Sequence, residues 1–151
     1  MLYRKSETKG STKLKALVTY IVAGDPNPSV TVSLMHRLVK SGADVIELGV
    51  PFSDPEAEGQ VIQSAHERAL VHDISLAKCI EMVADFRKTD SVTPVILMGY
   101  LNPFEAMGYE EFAEKSSLAG VNGTIIVNLP PEEAIELSAV MKKKGIEPVF
   151  L

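Results

Sequence analysis

Acidic side chains crowd one short stretch of the chain, in which Glu47, Asp54, Glu56 and Glu58 follow one another between Asp44 and Gly59. Glu47 lies inside Val45-Ile46-Glu47-Leu48-Gly49-Val50, an apolar run of the kind that forms a parallel strand buried on both faces. A carboxylate in that setting must be paired, kept protonated or put to use, because a lone ionised group in a low-dielectric interior is costly. Two readings follow: a structural ion pair with a Lys or Arg at the sheet end, or a catalytic acid/base whose pKa is raised by its surroundings. The next residues favour the second. Gly49 frees the backbone at the strand's end, Pro51 forbids further ladder donation, and Ser53-Asp54-Pro55 is turn chemistry, so an acidic loop leaves the sheet just after the buried acid.

Other chemistry is less well supplied. His36, His66 and His72 fall on or just after predicted helices with no carboxylate or cysteine at metal-ligand spacing; they are expected at the surface, and no metal site is expected. The single cysteine, Cys79, excludes an internal disulfide and reads as a buried apolar spacer. Neither Gly-x-Gly-x-x-Gly nor a P-loop occurs, so no nucleotide cofactor is expected. With 46% hydrophobic and 23% charged residues, the 151-residue chain has the composition of one globular core. Its net charge of −5 speaks against nucleic acid as a partner, since phosphate binding calls for a basic face. Basic residues do gather in residues 1–15, as Arg4, Lys5, Lys9, Lys13 and Lys15, but no apolar targeting segment follows, so a solvated tail and a cytoplasmic protein are expected. No run approaches the roughly 18 apolar residues of a membrane span.

The elements that must position the acids alternate along residues 16–151, read as a single domain. Ala16 to Val22 reads as a first strand, ended by Gly24 and Pro26; Asn27 caps a helix that begins at Pro28 and carries Val30, Leu34 and Leu38 on one face. After the Glu47 strand come a helix with Val61, Ile62, Ala65 and Ala69 on one face, and another capped by Ser75. A third strand runs from Pro94 to Met98 with an exit loop Gly99 to Pro103, then a helix from Tyr109 to Ser117 closed by Gly120. A fourth strand, Thr124 to Val127, leads into a helix from Pro131 to Lys144, and Glu147 opens a fifth. Such alternation implies a parallel sheet in which the polar loops gather at the strands' C-terminal ends.

Several motifs carry a resemblance. Glu47-Leu-Gly-Val-Pro-Phe-Ser-Asp-Pro55, Ala23-Gly-Asp-Pro26, Leu97-Met-Gly-Tyr100, Asn102-Pro103 and Leu129-Pro-Pro-Glu-Glu133 together resemble the tryptophan synthase α-subunit family, in the family's order from residue 17 to the end. The resemblance implies an α/β fold of the (β/α)8 TIM-barrel type, here as an incomplete barrel of about five parallel strands, without the later strands and their glycine-rich phosphate loops. It implies a lyase of tryptophan biosynthesis that cleaves indole-3-glycerol phosphate to indole and glyceraldehyde 3-phosphate, with Glu47 as acid/base. It needs no cofactor of its own, pyridoxal phosphate belonging to a β-subunit partner within a heterotetramer. Glu58 stands where the family has an aspartate and would meet the indole nitrogen, while Tyr20, Leu97 and Tyr100 would line the substrate pocket. Pro51, Phe52, Ser53, Asp54, Pro55, Asn102, Pro103 and Phe104 would face the β-subunit. Asn122 and Asn128 also replace family aspartates, which leaves open a second reading: a catalytically silent partner-binding module of the same family. An open five-strand sheet further implies self-association of the chain through its edge strands, and an exposed apolar inner face.

Overall fold

The computed structural model describes residues 15 to 151. The basic tail expected over residues 1–15 therefore lies, Lys15 apart, outside the described residues. Within them the order is β1 (Val18–Val22), α1 (Pro28–Lys40), β2 (Val45–Gly49), α2 (Gln60–Leu70), α3 (Leu76–Arg87), β3 (Val95–Gly99), α4 (Leu101–Met107), α5 (Tyr109–Ala119), β4 (Gly123–Ile126), α6 (Ile135–Lys143) and β5 (Glu147–Val149). The strands form one parallel sheet in the order β1-β2-β3-β4-β5.

Parallel register decides which side chains share a face. Tyr20, Glu47, Ile96 and Gly123 are mutual partners along one row, and Val22, Gly49, Met98 and Ile125 along the next, so these residues point to one side. The intervening row, Ile21, Leu48, Leu97 and Thr124, points to the other. There Ile46, Leu48, Val95 and Leu97, all fully buried, meet Met35, Cys79, Val83, Phe86 and Phe112 from the helices in the main core. Helices α1, α3, α5 and α6 pack side by side in that sequence over this face. Helix α2 does not join them. It lies against β1, where Ala65 and Ala69 pack with Val22 and Tyr20 in a separate small core.

Local chemistry explains most boundaries. Asn27 caps α1, its side chain accepting from the Ser29 amide, with Pro28 at the first helical position; Ser75 likewise caps α3 by accepting from the Lys78 amide. Two expected helical faces are corrected. The buried line of α1 runs through Thr31 and Met35 rather than Val30, Leu34 and Leu38, because the Thr31 hydroxyl accepts from the Gly24 amide (3.0 Å) and so ties that face to the end of β1. Val61 of α2 is 83% exposed, since α2 turns its alanines, not its first valine, toward β1. The helix expected from Pro131 starts only at Ile135: the amides of Glu133 and Ala134 turn back to the Pro130 carbonyl, closing a tight turn after a proline pair that cannot donate. Asn102-Pro103, expected in an exit loop, is the first turn of α4, whose leading amide at Leu101 is held by Asn128 Oδ1 at 2.8 Å.

The sheet's N-terminal end is stitched by Arg87. Its guanidinium donates to the carbonyls of Gly120 (2.9 Å), Asp90 (3.1 Å) and Thr93 (2.8 Å) and to Asn122 Oδ1 (2.7 Å), which also accepts from the Val95 amide at 2.9 Å. Asn122 is thus a structural acceptor at the opposite end of the sheet from the acidic loop. Exposed apolar side chains of the sheet gather at its two edges, in Leu17 and Val18 beside β1 and in Phe150 and Leu151 after β5. The broad exposed inner face anticipated from the strand pattern is not found in the central strands, where Ile96 and Ile125 are 8% and 4% exposed.

Candidate active site

Glu47 stands one residue before Leu48-Gly49 at the C-terminal end of β2, on the face away from the main helical layer and directly beside Tyr20 of β1. Its carboxyl makes no hydrogen bond or ion pair with any described residue, and burial alone raises its pKa above the ordinary glutamate value. Among the described residues, then, no Lys or Arg supplies the structural ion pair. A half-buried carboxyl with a raised pKa holds its proton more readily than an exposed glutamate and can both give and take one, and the strand fixes its backbone.

Tyr20 reaches over the end of β2. A Cβ added to Gly49 would sit 2.3 Å from Tyr20 Oη, so glycine is required here by the close approach of the phenol rather than by an unusual backbone angle. Gly49→Ala is expected to destabilise the fold by about 1–3 kcal/mol, the usual range for overpacking, and Tyr20→Leu in the same chain should remove most of that loss. Urea denaturation of the two single variants and the double variant measures it; equal losses with and without the phenol would mean that something other than Tyr20 excludes a side chain.

The acidic loop from Val50 to Gly59 is pinned from two directions. From the residue between β3 and α4, Tyr100 Oη donates to Glu58 Oε2 at 2.5 Å and accepts from the Ala57 amide at 2.8 Å, while its ring stacks on Phe52 with centroids 5.0 Å apart. Burial first, and then the bonded Glu58 carboxylate, raise the Tyr100 pKa. From α2, His66 Nδ1 accepts from the Phe52 amide at 3.0 Å, and Nε2 lies 3.3 Å from Tyr20 Oη. Gln63 adds a hydrogen bond to the Pro55 carbonyl at 3.1 Å. At the foot of α2, Arg68 clamps Asp25 with two contacts of 2.6 and 3.0 Å, joining the loop after β1 to the same helix.

The expected site residues are thus brought together in part. Glu47, Glu58, Tyr20 and Tyr100 share one end of the sheet; burial and the fields of Glu58, Glu47 and Tyr100 raise the Tyr20 pKa, which records that they surround its hydroxyl. Leu97 is corrected: it is fully buried on the helical face, and strand parity gives the position toward Glu47 to Ile96 and Met98. Of the residues expected to face a partner, Ser53, Asp54 and Asn102 are exposed and Phe52 and Pro103 half-buried. Pro51, Pro55 and Phe104 are buried, Phe104 edge-on against Phe112 at 4.8 Å, so they shape these loops rather than offer a surface. His66 is corrected as well: expected at the surface, it is 2% exposed. His36 and His72 are half-buried, His36 against the Phe86 ring. Cys79 is fully buried, its thiol pKa pushed up to about 12 by that burial, as its apolar spacing implied. Among the described residues no group of acidic, histidine or cysteine side chains could hold a metal ion, and no helix is long and apolar enough to cross a membrane.

The family model for the tryptophan synthase alpha chain matches residues 7–151. The chain belongs to the tryptophan synthase alpha chain family. The Marinobacter nauticus tryptophan synthase alpha chain is 61% identical over 137 residues, which are 91% of this chain and 51% of that one; the Methylococcus capsulatus alpha chain is 56% identical with the same coverage. The crystal structure of tryptophan synthase subunit alpha from Legionella pneumophila superposes with a TM-score of 0.87 at 62% identity, over 89% of this chain and 51% of that one. The chain of the Pyrococcus furiosus tryptophan synthase a2b2 complex gives 0.84 at 38% identity, over 89% and 55%. This member of the tryptophan synthase alpha chain family therefore spans about half the length of the relatives it matches, and its five parallel strands follow their (β/α)8-barrel fold.

Proposed function

We propose that this chain supplies the acid/base end of a lyase site that cleaves indole-3-glycerol phosphate to indole and glyceraldehyde 3-phosphate. The observation that carries the reading is Glu47: a half-buried carboxyl without a protein partner, its pKa raised by burial, at the C-terminal end of a parallel strand. A retro-aldol cleavage needs a base for the glycerol hydroxyl, a proton for the indole carbon, and an acceptor for charge developing at the indole nitrogen. Glu47 serves the proton transfers, and Glu58, held by Tyr100, serves the nitrogen. No cofactor is assigned to this chain; pyridoxal phosphate belongs, in this reading, to a β-subunit met through Ser53, Asp54 and Asn102, as the naming of one solved relative as an a2b2 complex suggests.

Residues 1–151 contain no glycine-rich phosphate loop, and remote phosphate binding energy is what would hold the substrate against Glu47. The test is therefore reconstitution: this chain mixed with a fragment covering the other half of the Legionella pneumophila relative, with indole release followed from indole-3-glycerol phosphate. The mixture should turn over and neither part alone should, this chain instead self-associating through β1 and β5 in sedimentation runs at several concentrations. A properly assembled mixture with no indole release would favour the silent partner-binding module.

The same assay tests Glu58. Glu58→Ala should lower turnover by about 100-fold, the usual loss for a misplaced or missing active-site group, while Glu58→Asp, the family's shorter acid, should hold or raise it. Equal rates for all three side chains would remove Glu58 from the mechanism.

A further inference from the structure

His66 has no place in the chemistry above, yet it is 2% exposed and both its ring nitrogens are engaged. The Phe52 amide can only donate, so Nδ1 is the unprotonated acceptor at 3.0 Å, and in a neutral ring the hydrogen resides on Nε2. Burial lowers the His66 pKa against the opposing influence of Glu58 and keeps the ring neutral near pH 7. Nε2–H therefore donates across 3.3 Å to Tyr20 Oη. A phenol that accepts from one side has its own hydrogen free for another, and no described residue accepts it. Burial, Glu58, Glu47 and Tyr100 all raise the Tyr20 pKa, so the phenol keeps that hydrogen. The ring is also immobilised from below, where its oxygen lies on Gly49 with no room for a side chain.

We propose that His66 is a positioning residue whose Nε2–H turns Tyr20 into a ligand-directed hydrogen-bond donor beside Glu47, and that this hydroxyl takes an oxygen atom of the ligand rather than lining an apolar pocket. The identity of that oxygen, on the three-carbon part of the substrate, rests on the reading given under Proposed function. An indole ring offers an N–H donor and a π face, which accepts a phenol hydrogen only weakly; a glycerol hydroxyl or the aldehyde oxygen formed from it accepts it in a full hydrogen bond.

Two histidine variants separate the contacts. In His66→Gln the side-chain amide nitrogen can occupy the Nε2 place and keep donating to Tyr20, whereas in His66→Asn the amide oxygen can occupy the Nδ1 place and keep only the Phe52 contact. The first measurement is ring nitrogen-15 NMR of the wild-type chain at pH 7, which should show a protonated Nε2 and an unprotonated Nδ1 for His66. The second is NMR titration of the reconstituted mixture, with this chain isotope-labelled, against glyceraldehyde 3-phosphate and, separately, indole. Tyr20→Phe and His66→Asn should each weaken glyceraldehyde 3-phosphate binding by about tenfold, the worth of one hydrogen bond, with no further loss when combined. His66→Gln should bind it like wild type, and indole binding should be unchanged in all variants. A protonated Nδ1, an equal loss of indole binding in Tyr20→Phe, or a wild type that binds neither ligand would overturn the proposal. The expected tautomer and ligand preference together with a silent reconstituted assay would instead keep it and remove the lyase reading.

Discussion

Glu47→Gln is expected to abolish indole release in the reconstituted assay, by about 100-fold or more, the usual cost of removing a group that transfers protons, while making the chain more stable at neutral pH. The second half follows from burial. Because the folded state raises the Glu47 pKa, it binds more protons than the unfolded chain between the ordinary glutamate value and the raised one. Stability contributed by this group is therefore lost as pH climbs through that window, and glutamine, which carries no charge, escapes the loss. Melting temperatures of the two proteins should coincide below the ordinary glutamate value, separate in favour of glutamine as pH rises through the window, and then stay apart. A wild type more stable than the variant at neutral pH would mean that Glu47 has a cationic partner and a structural role, and turnover above about a tenth of wild type would remove it from the chemistry.

Arg87→Met should be among the most damaging single changes in the chain. Methionine keeps the aliphatic stem but strands three main-chain carbonyls and leaves the Asn122 oxygen only its Val95 donor, where the wild type has a guanidinium whose side chain is only 15% exposed. Buried acceptors left without donors cost about 1–3 kcal/mol each before relaxation, so a total of about 3 kcal/mol or more is expected, or roughly 10 °C in melting temperature. Lys115→Met is the control: its ion pair with Glu111 joins side chains 50% and 56% exposed, and such pairs contribute at most about 1 kcal/mol. Urea denaturation of both variants decides the matter, and an Arg87→Met loss no larger than the control's would show that water replaces the guanidinium at little cost. Asn122→Asp should be tolerated, because both groups that bond its oxygen are donors.

How much of this could be read from residues alone depends on whether the signal is local. An acid inside an apolar run is local, so Glu47 stood out, as did the caps Asn27 and Ser75 and the strands that begin near Val18, Val45, Val95, Gly123 and Glu147. Leu97 was misplaced because its face depends on register with β2: Leu48 pairs with Leu97 and Gly49 with Met98, and no pattern within β3 announces that. His66 was missed for a related reason. Its burial comes from α2 leaving the helical layer to lie on β1, a choice made by Val22, Tyr20 and Ala69 across long sequence separations. One clue was present, since a histidine between Ala65 and Ala69 shares the face of two small residues that invite close packing. The length of α4 was hidden by Pro103, which breaks helices in their interior but is tolerated in a first turn, where it falls.

The strand order has a consequence for how the chain acquires its shape. Every strand pairs with its neighbour in sequence, so each new strand emerging from a ribosome finds its partner already made and waits for nothing downstream. The loops to be closed are not equal, however. Val18 meets Val45, and Gly123 meets Glu147, across a single intervening helix or its equivalent, but Ile46 must find Val95 across the whole acidic loop, α2 and α3. Longer closure costs more entropy before any contact rewards it, so the joining of β2 to β3 is the slow event in assembling the sheet. The acid-bearing strand thus spends its early life with one edge covered by β1 and the other open, and the pairing that closes that edge also brings Tyr100 to Glu58.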